Sequence, residues 1–131
     1  EQGNLNKVWE NKSLRSHMAN AVLTDGYLYG IDGNSNEQAR CQLVCVKLEN
    51  GEATWKEKGF GCGTVLLAGS KLVILSDEGE LSVAAASPTE FKSLAKATVL
   101  SGKCWTVPVL VDGRIYCRNA AGDLVCLDVR K

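Results

Sequence analysis

The side chains best suited to chemistry in this chain are six cysteines and a single histidine, His17. Cysteines at Cys-x-x-Cys spacing do not occur. Cys41 and Cys45 would share one face of a strand, but four residues of separation place them too far apart to bond each other. Zinc sites use closely spaced cysteines and histidines, and His17 has no such neighbour in sequence. We therefore expect buried or partly buried free thiols, with at least one disulfide as the alternative, and no metal site.

Composition places these residues in an ordinary globular chain. Of 131 residues 45% are hydrophobic, and 15 basic side chains balance 15 acidic ones, which predicts one domain and argues against nucleic acid as a partner. Residues 65–75 form the longest apolar stretch, too short and too interrupted to span a membrane. The chain begins at Glu1 without an apolar leader, as expected of a processed or excerpted sequence.

Three segments share one pattern, an apolar run followed by a two-residue turn and a second apolar run. They are residues 21–31, 65–75 and 108–118, with turns at Asp25-Gly26, Gly69-Ser70 and Asp112-Gly113. Such pairs allow the positive φ angles of tight hairpins. The second turn residues follow one another at intervals of 44 and 43 residues, the length of one β-propeller blade. The sequence therefore predicts three repeated β-hairpins.

Further strands extend each hairpin into a blade. Third strands are predicted to begin at Leu43, Leu81 and Leu124, and fourth strands to cover residues 53–58 and 90–97, with a helix as the alternative for 90–97. The first repeat has six extra residues within 32–40, which we interpret as a surface loop. The fold class is therefore all-β, with about three four-stranded antiparallel blades.

The N-terminal segment resembles a fourth strand, because Trp9 has flanking residues like those of Trp55. We predict an N-terminal strand in 5–12, blades at 20–58 and 64–97, and an incomplete blade at 107–130. Three blades cannot close a ring, since propellers commonly have about four to eight. The chain is expected either to belong to a longer propeller or to form a homo-oligomeric ring by strand exchange, with six blades from two copies or nine from three.

The segment Leu43-Val-Cys-Val, followed by Leu48-Glu-Asn-Gly-Glu-Ala-Thr-Trp55, resembles the repeat of quinoprotein-like propellers, and matches it at Gly51 and Trp55. Residues 102–129 are similar to the C-terminal part of PQQ-like (pyrroloquinoline-quinone-like) β-propeller proteins of planctomycete and verrucomicrobial type. These proteins are related to the outer-membrane assembly propeller lipoprotein. The resemblance implies a C-terminal part of an exported protein, periplasmic or secreted, with seven or eight blades.

The resemblance also raises a redox function. Quinoprotein dehydrogenases bind calcium and the quinone with a stacked tryptophan, a catalytic aspartate and commonly a disulfide between adjacent cysteines. This chain has no adjacent cysteines, and Asp25 and Asp112 are assigned to hairpin turns. His17 and Cys104 precede their first strands by equal offsets, but in blades two apart, so no nucleophile–base pair is expected. PQQ and calcium thus remain possible by resemblance only, and we expect no enzyme and no cofactor.

Residues just before each first strand are the best candidates for a binding surface, because they converge at the channel mouth of a propeller. The candidate ligand-binding residues are Arg15, His17, Asn20, Cys62, Lys103, Cys104, Trp105 and Thr106. Trp9, Trp55 and Phe91 are interpreted as packing residues between blades. The predicted function is a non-catalytic interaction scaffold for a protein or polysaccharide ligand, and the alternative is a portion of a quinone-dependent alcohol or sugar dehydrogenase.

Overall fold

The structure, a computed structural model, describes residues 3–130 and contains three separate antiparallel sheets. The first sheet consists of β1 (Val22–Thr24), β2 (Tyr27–Asp32), β3 (Gln42–Lys47) and β4 (Ala53–Glu57). The second consists of β5 (Thr64–Ala68), β6 (Lys71–Leu75), β7 (Glu80–Ala85) and β8 (Ser93–Thr98), and the third of β9 (Val109–Val111), β10 (Arg114–Arg118) and β11 (Leu124–Asp128). Each sheet keeps its strands in chain order. This arrangement confirms the all-β fold built from propeller-type blades.

The hairpin turns have the predicted backbone conformation. Asp25 and Gly26 have φ angles of 49° and 79°, and Asp112 and Gly113 have 49° and 69°. Both pairs place two successive residues at positive φ, as a type I′ turn requires, and this twist matches that of the flanking strands. In the second sheet Gly69 adopts the positive φ, at 58°.

The outer strands also repeat. β8 at Ser93–Thr98 confirms the predicted strand and excludes the helical alternative for this segment. The register shifts between Cys45 and Val46 in the first sheet, and between Val83 and Ala84 at the matching place in the second. Such a bulge increases the local twist of a strand, so the two complete sheets bend in the same way.

Two apolar layers hold the three sheets together. Successive side chains of a strand point to opposite faces, and β6 is apolar on both. Leu72 and Ile74 pack toward the first sheet, whereas Val73 and Leu75 pack toward the third. The second sheet is therefore the centre of the core.

Aromatic rings fill the outer part of the first layer. The Trp55 ring lies 6.0 Å from that of Tyr29 and 6.1 Å from that of Phe91, and Phe60 meets Phe91 edge-on at 5.5 Å. The Trp55 indole N–H also donates to the Ser87 carbonyl oxygen at 2.8 Å. Trp55 and Phe91 thus contact both the first and the second sheet.

Residues 5–12 do not form the predicted strand. No strand within residues 3–130 pairs with this segment, and a strand without a hydrogen-bonded neighbour is not stable by itself. The segment is nonetheless fixed at two points: the Trp9 indole N–H donates to the Leu48 carbonyl oxygen at 2.8 Å, and the Asn11 amide donates to that of Gly51 at 2.7 Å. Gly51 is required here, because a Cβ would lie 2.7 Å from the Trp9 ring.

The first repeat carries the extra loop that the sequence predicts. Its main feature is a pair of short 3₁₀ turns at Ser35–Arg40, joined by a kink at Glu37. Asn34 precedes them, and its side-chain oxygen accepts from the Asn36 backbone N–H at 3.0 Å. Within residues 3–130, no helix has the length and apolar character needed to cross a membrane.

Candidate functional site

The three stretches that precede β1, β5 and β9 are attached to their own sheets in the same way. In each sheet, a residue one or two positions after the end of the second strand donates its backbone N–H to a carbonyl oxygen in the stretch before the first strand. The bonds are Gly33 to Arg15 (3.1 Å), Asp77 to Phe60 (3.1 Å) and Ala120 to Lys103 (2.7 Å). The stretches with the predicted site residues therefore lie at equivalent ends of the three sheets.

At this end of the first sheet lies an open cleft of about 730 Å³. One wall comes from the stretch before β1, and the other from the extra loop between β2 and β3. The lining residues are Arg15, Ser16 and His17 on the first wall, and Gly33, Asn34, Asn36, Glu37 and Arg40 on the second. Apart from Gly33, the lining residues have polar or charged side chains, which supply both donors and acceptors.

An ion pair fixes the first wall of this cleft. The Arg15 guanidinium donates from Nε to Asp32 Oδ1 at 2.9 Å and from Nη2 to Oδ2 at 3.0 Å, and the Arg15 backbone N–H donates to Oδ1 at 2.8 Å. Asp32 is buried at the end of β2, whereas the Arg15 side chain is 64% exposed. Arg15 therefore presents part of its guanidinium to the cleft while its backbone is held in place.

The same contacts shift the protonation equilibrium of both groups. Burial of the Asp32 carboxyl raises its pKa, but the hydrogen bonds and charge of Arg15 outweigh burial and leave the pKa below its ordinary value of 3.8. The hydrogen bond to Asp32 in turn raises the pKa of Arg15. The pair is fully ionised at neutral pH.

His17 stands beside the ion pair on the same wall. Its Nδ1 accepts a hydrogen bond from the Ser35 backbone N–H at 3.2 Å, so the neutral ring carries its proton on Nε2. Across the cleft, Arg40 donates to Glu37 Oε1 at 3.2 Å, and both side chains are exposed. His17 thus offers a donor to the cleft, and Glu37 offers acceptors.

A disulfide between Cys41 and Cys62, with Cα atoms 5.5 Å apart, joins the end of the extra loop to the second sheet. The expectation that all cysteines are free thiols is therefore wrong for this pair. The two residues are 21 apart in sequence. Their contact depends on how the first two sheets pack, which spacing alone does not reveal.

Asp77 provides a second link between the loop and the second sheet. Its Oδ2 accepts from the Cys62 backbone N–H at 2.9 Å and from the Gln38 side-chain amide at 3.1 Å. Gly33, at φ 135°, allows the loop to start close to this link, because a Cβ there would lie 2.7 Å from the Cys41 sulfur. The second wall of the cleft is thereby held to both the first and the second sheet.

The buried thiols outside the disulfide are not activated. Cys45, Cys104 and Cys117 are buried and Cys126 is exposed. Burial raises the pKa of Cys45 and Cys104, and it raises that of Cys117 to about 11. Because the thiolate is the reactive form, these buried thiols are poor nucleophiles at neutral pH. Within residues 3–130, no three His, Cys, Asp or Glu side chains are grouped so that they could hold a metal ion.

The predicted site residues separate into distinct places. The cleft brings together Arg15 and His17, and a narrow gap beside it is lined by His17 and Cys62. Cys104 is fully buried, and its backbone N–H donates to the Asp77 carbonyl oxygen at 2.9 Å. The Lys103 ammonium lies 5.0 Å from the centre of the Trp105 ring.

Asn20 and Thr106 are exposed. The sequence did not predict the residues of the second wall of the cleft, which are Asn34, Asn36, Glu37 and Arg40. The feature that could have indicated them is the six-residue insertion of the first repeat. A loop between the second and third strands lies at the same end of a meander sheet as the segment entering its first strand.

No family model matches the chain, and no curated protein matches it either. Among solved structures, the computationally designed Ika4 protein is similar with a TM-score of 0.56 at 7% identity, over 97% of this chain and 100% of Ika4. BamB from Moraxella catarrhalis is similar with a TM-score of 0.49 at 13% identity, over 81% of this chain and 41% of BamB. The chain has a β-propeller-like fold. This conclusion follows from the three meander sheets. Sequence identities this low do not indicate a shared function.

Proposed function

We propose that this chain is a non-catalytic binding scaffold, part of an exported propeller with PQQ-like repeats, and that its ligand lies in the cleft between residues 15–17 and 33–40. The observation that carries this proposal is the cleft itself, formed by a loop that the first sheet has and the second lacks. The disulfide and the Arg15–Asp32 pair fix its two walls. A preformed site loses less conformational entropy on binding than a mobile one.

The charge of the cleft indicates the kind of ligand. Arg15 is paired with Asp32, and Arg40 with Glu37, so neither cation is free to dominate the local field. The side-chain amides, the His17 donor and the Glu37 acceptors suit uncharged polar groups. A polypeptide segment with exposed amides or a polysaccharide with hydroxyls fits this lining better than a polyanion does.

Two features support a role without catalysis and outside the cytosol. Burial keeps Cys45, Cys104 and Cys117 in the thiol form, and His17 Nδ1 is engaged by the Ser35 backbone. A general base requires an available nitrogen beside a nucleophile. The Cys41–Cys62 disulfide is the kind of bond that persists in the periplasm or outside the cell.

Binding to peptide and glycan arrays tests the proposal. The Glu37→Gln/Arg40→Gln variant alters the cleft, while Lys47→Gln/Glu52→Gln alters a comparable exposed pair, 3.6 Å apart, near the opposite end of the same sheet. We expect the cleft variant to bind the selected ligand about tenfold more weakly, because charge-assisted hydrogen bonds contribute roughly 1.5 kcal/mol or more. The control variant should bind like the wild type.

Equal losses in the two variants, or none in either, would contradict the proposed site. A separate titration with PQQ and calcium addresses the dehydrogenase alternative. Absorbance of bound quinone together with substrate-dependent dye reduction would replace the scaffold function with an enzymatic one.

A further inference from the structure

The third sheet has an outward face without a neighbouring sheet in residues 3–130. Val109, Val111 and Leu124 lie on this face and are 57%, 47% and 68% exposed. β11 is also the outer strand, and its far edge is unpaired within the part of the chain that the structure describes. Exposed apolar faces and open strand edges both favour association with another chain.

This face repeats the residues of a face that is already buried. In the third sheet Tyr116 pairs across strands with Cys126, as Tyr29 pairs with Cys45 in the first. Tyr29 and Cys45 are only 1% and 0% exposed, because they pack toward the second sheet. The outward face of the third sheet therefore matches that buried face at its centre, and the charged residues Arg114, Arg118 and Asp128 lie around this centre on the same face.

One component is absent beside Tyr116. In the first sheet, Trp55 of the fourth strand pairs with Cys45 and covers Tyr29, with ring centroids 6.0 Å apart. The third sheet ends at β11 within the described residues, so no tryptophan of a fourth strand covers Tyr116 there.

Trp9 is a tryptophan in the complementary situation. Its indole N–H donates to Leu48, in the turn between β3 and β4, just as Trp55 donates to Ser87 in the turn between β7 and β8. Both bonds are 2.8 Å long. Trp9 thus sits on the first sheet as the fourth-strand tryptophan of a preceding sheet would.

We propose that a second copy of this chain supplies that preceding sheet. Residues 7–11 of one copy pair with β11 of the other, which places Trp9 opposite Cys126 and against Tyr116. The contact is head-to-tail, and repeating it once closes a ring of two copies. Two copies contribute six sheets, within the range of about four to eight blades in closed propellers.

Solution mass measured by light scattering tests the ring. We expect the 131-residue chain to reach twice 14.1 kDa at high concentration and to dissociate on dilution. A monomer at every soluble concentration would overturn the proposal, as would a trimer or an open-ended series of masses.

A pair of matched variants locates the contact. Leu124→Asp places a charge on the outward face, whereas Leu94→Asp places it on β8, where the side chain is 50% exposed. We expect the first variant to be monomeric, with an unchanged circular dichroism spectrum, and the second to remain dimeric. A dimer that persists in Leu124→Asp would mean that association uses another surface.

A covalent trap is independent of affinity. Residues opposite each other in antiparallel strands have Cα atoms about 4.5 to 5.5 Å apart, which suits a disulfide. Trp9→Cys should therefore form an oxidised dimer through Cys126, and the added substitution Cys126→Ser should abolish it. Failure of Trp9→Cys to cross-link under oxidising conditions, in a folded protein, would exclude this pairing.

Discussion

The two junctions between neighbouring sheets come from the same repeat but are built differently. The first junction contains the aromatic cluster around Trp55 and Phe91, and the Cys41–Cys62 disulfide crosses it. The second is mainly aliphatic, and its cysteines, Cys104 and Cys117, are unbonded. The junction that adjoins the cleft is thus the one with covalent and aromatic connections.

This difference shows how a repeat protein can stiffen one place without changing its strands. The cross-links come from the extra loop and the stretches before the first strands, while the strand order and the outer-strand register shifts of the first two sheets remain equivalent. In a repeat array, each unit is stabilised mainly by its neighbours. The third sheet, buried on one face, should therefore open before the other two.

The largest effect that tests this comparison is expected at two leucines of β6, both of which are fully buried. Leu75 faces the third sheet and Leu72 the first. Leu75→Ala should cost about 3 kcal/mol and so accelerate amide hydrogen exchange in β10 and β11 roughly a hundredfold. Exchange in β2 and β3 should change far less, because the first junction remains intact.

Leu72→Ala is the control. Both variants are measured in the Leu124→Asp background, so that the outward face of the third sheet stays open. Leu72→Ala should accelerate amide hydrogen exchange in β2 and β5 and leave exchange in β10 nearly unchanged. If Leu72→Ala accelerates exchange in the third sheet as strongly as Leu75→Ala, the two junctions are not independent.

An effect of similar size is expected when the disulfide is removed. Cys41→Ser/Cys62→Ser should lower the free energy of unfolding by about 3 kcal/mol, since the bond closes a loop of intermediate length. Urea unfolding gives the value. Cys126→Ser, at an exposed unbonded position, should change it by less than about 0.5 kcal/mol in the monomer.

Thiol counting supplies an independent check on the same bond. Four thiols should react with a maleimide after unfolding without reductant, and all six only after reduction. Six reactive thiols before reduction would show that Cys41 and Cys62 are not bonded.

The smallest of these effects concerns the polar residue that ends the second strand. Asp32→Asn should cost about 1 to 2 kcal/mol at pH 7, because charge-assisted hydrogen bonds to Arg15 are weakened. The third sheet uses a neutral Asn119 at the equivalent position, where its amide donates to the Ser101 carbonyl oxygen at 2.9 Å. The charged and neutral versions can therefore be compared within one chain.

Lowering the pH distinguishes the charged Asp32 of the wild type from the neutral side chain of Asp32→Asn. The folded-state pKa of Asp32 lies below 3.8, so its stabilising effect is complete above that pH and is lost as the pH falls through the folded-state pKa. The difference in melting temperature between wild type and Asp32→Asn should therefore shrink in strong acid. A difference that stays constant from pH 7 to strong acid would mean that ionisation of Asp32 does not contribute.

Local signals made the strands predictable. Asp25-Gly26 and Asp112-Gly113 determine tight turns through backbone sterics alone, and the apolar runs on either side of each turn predict strands that are buried in the core. Leu94 and its neighbours in β8 gave a weaker signal, because that strand is exposed along its whole length.

Features that depend on packing between sheets were not predictable in the same way. The Cys41–Cys62 contact and the Gln38–Asp77 bond join residues of different repeats. Residues 7–12 have the composition of a strand, yet strand formation also requires a hydrogen-bonding partner. Only one wall of the cleft was predictable from the sequence. Arg15 and His17 lie at a position that recurs in each repeat, whereas Glu37 and Arg40 lie in the insertion, which the other repeats lack.

The position of the disulfide also has a mechanical consequence. A chain pulled from its ends lengthens by at most about 3.3 to 3.6 Å per residue released. The bond encloses the 21-residue interval from Cys41 to Cys62, so about 70 Å of contour length stays inextensible even after the first two sheets have been pulled apart. Only a reducing environment would release it, which makes the stretched length of this chain a gauge of the redox conditions around it.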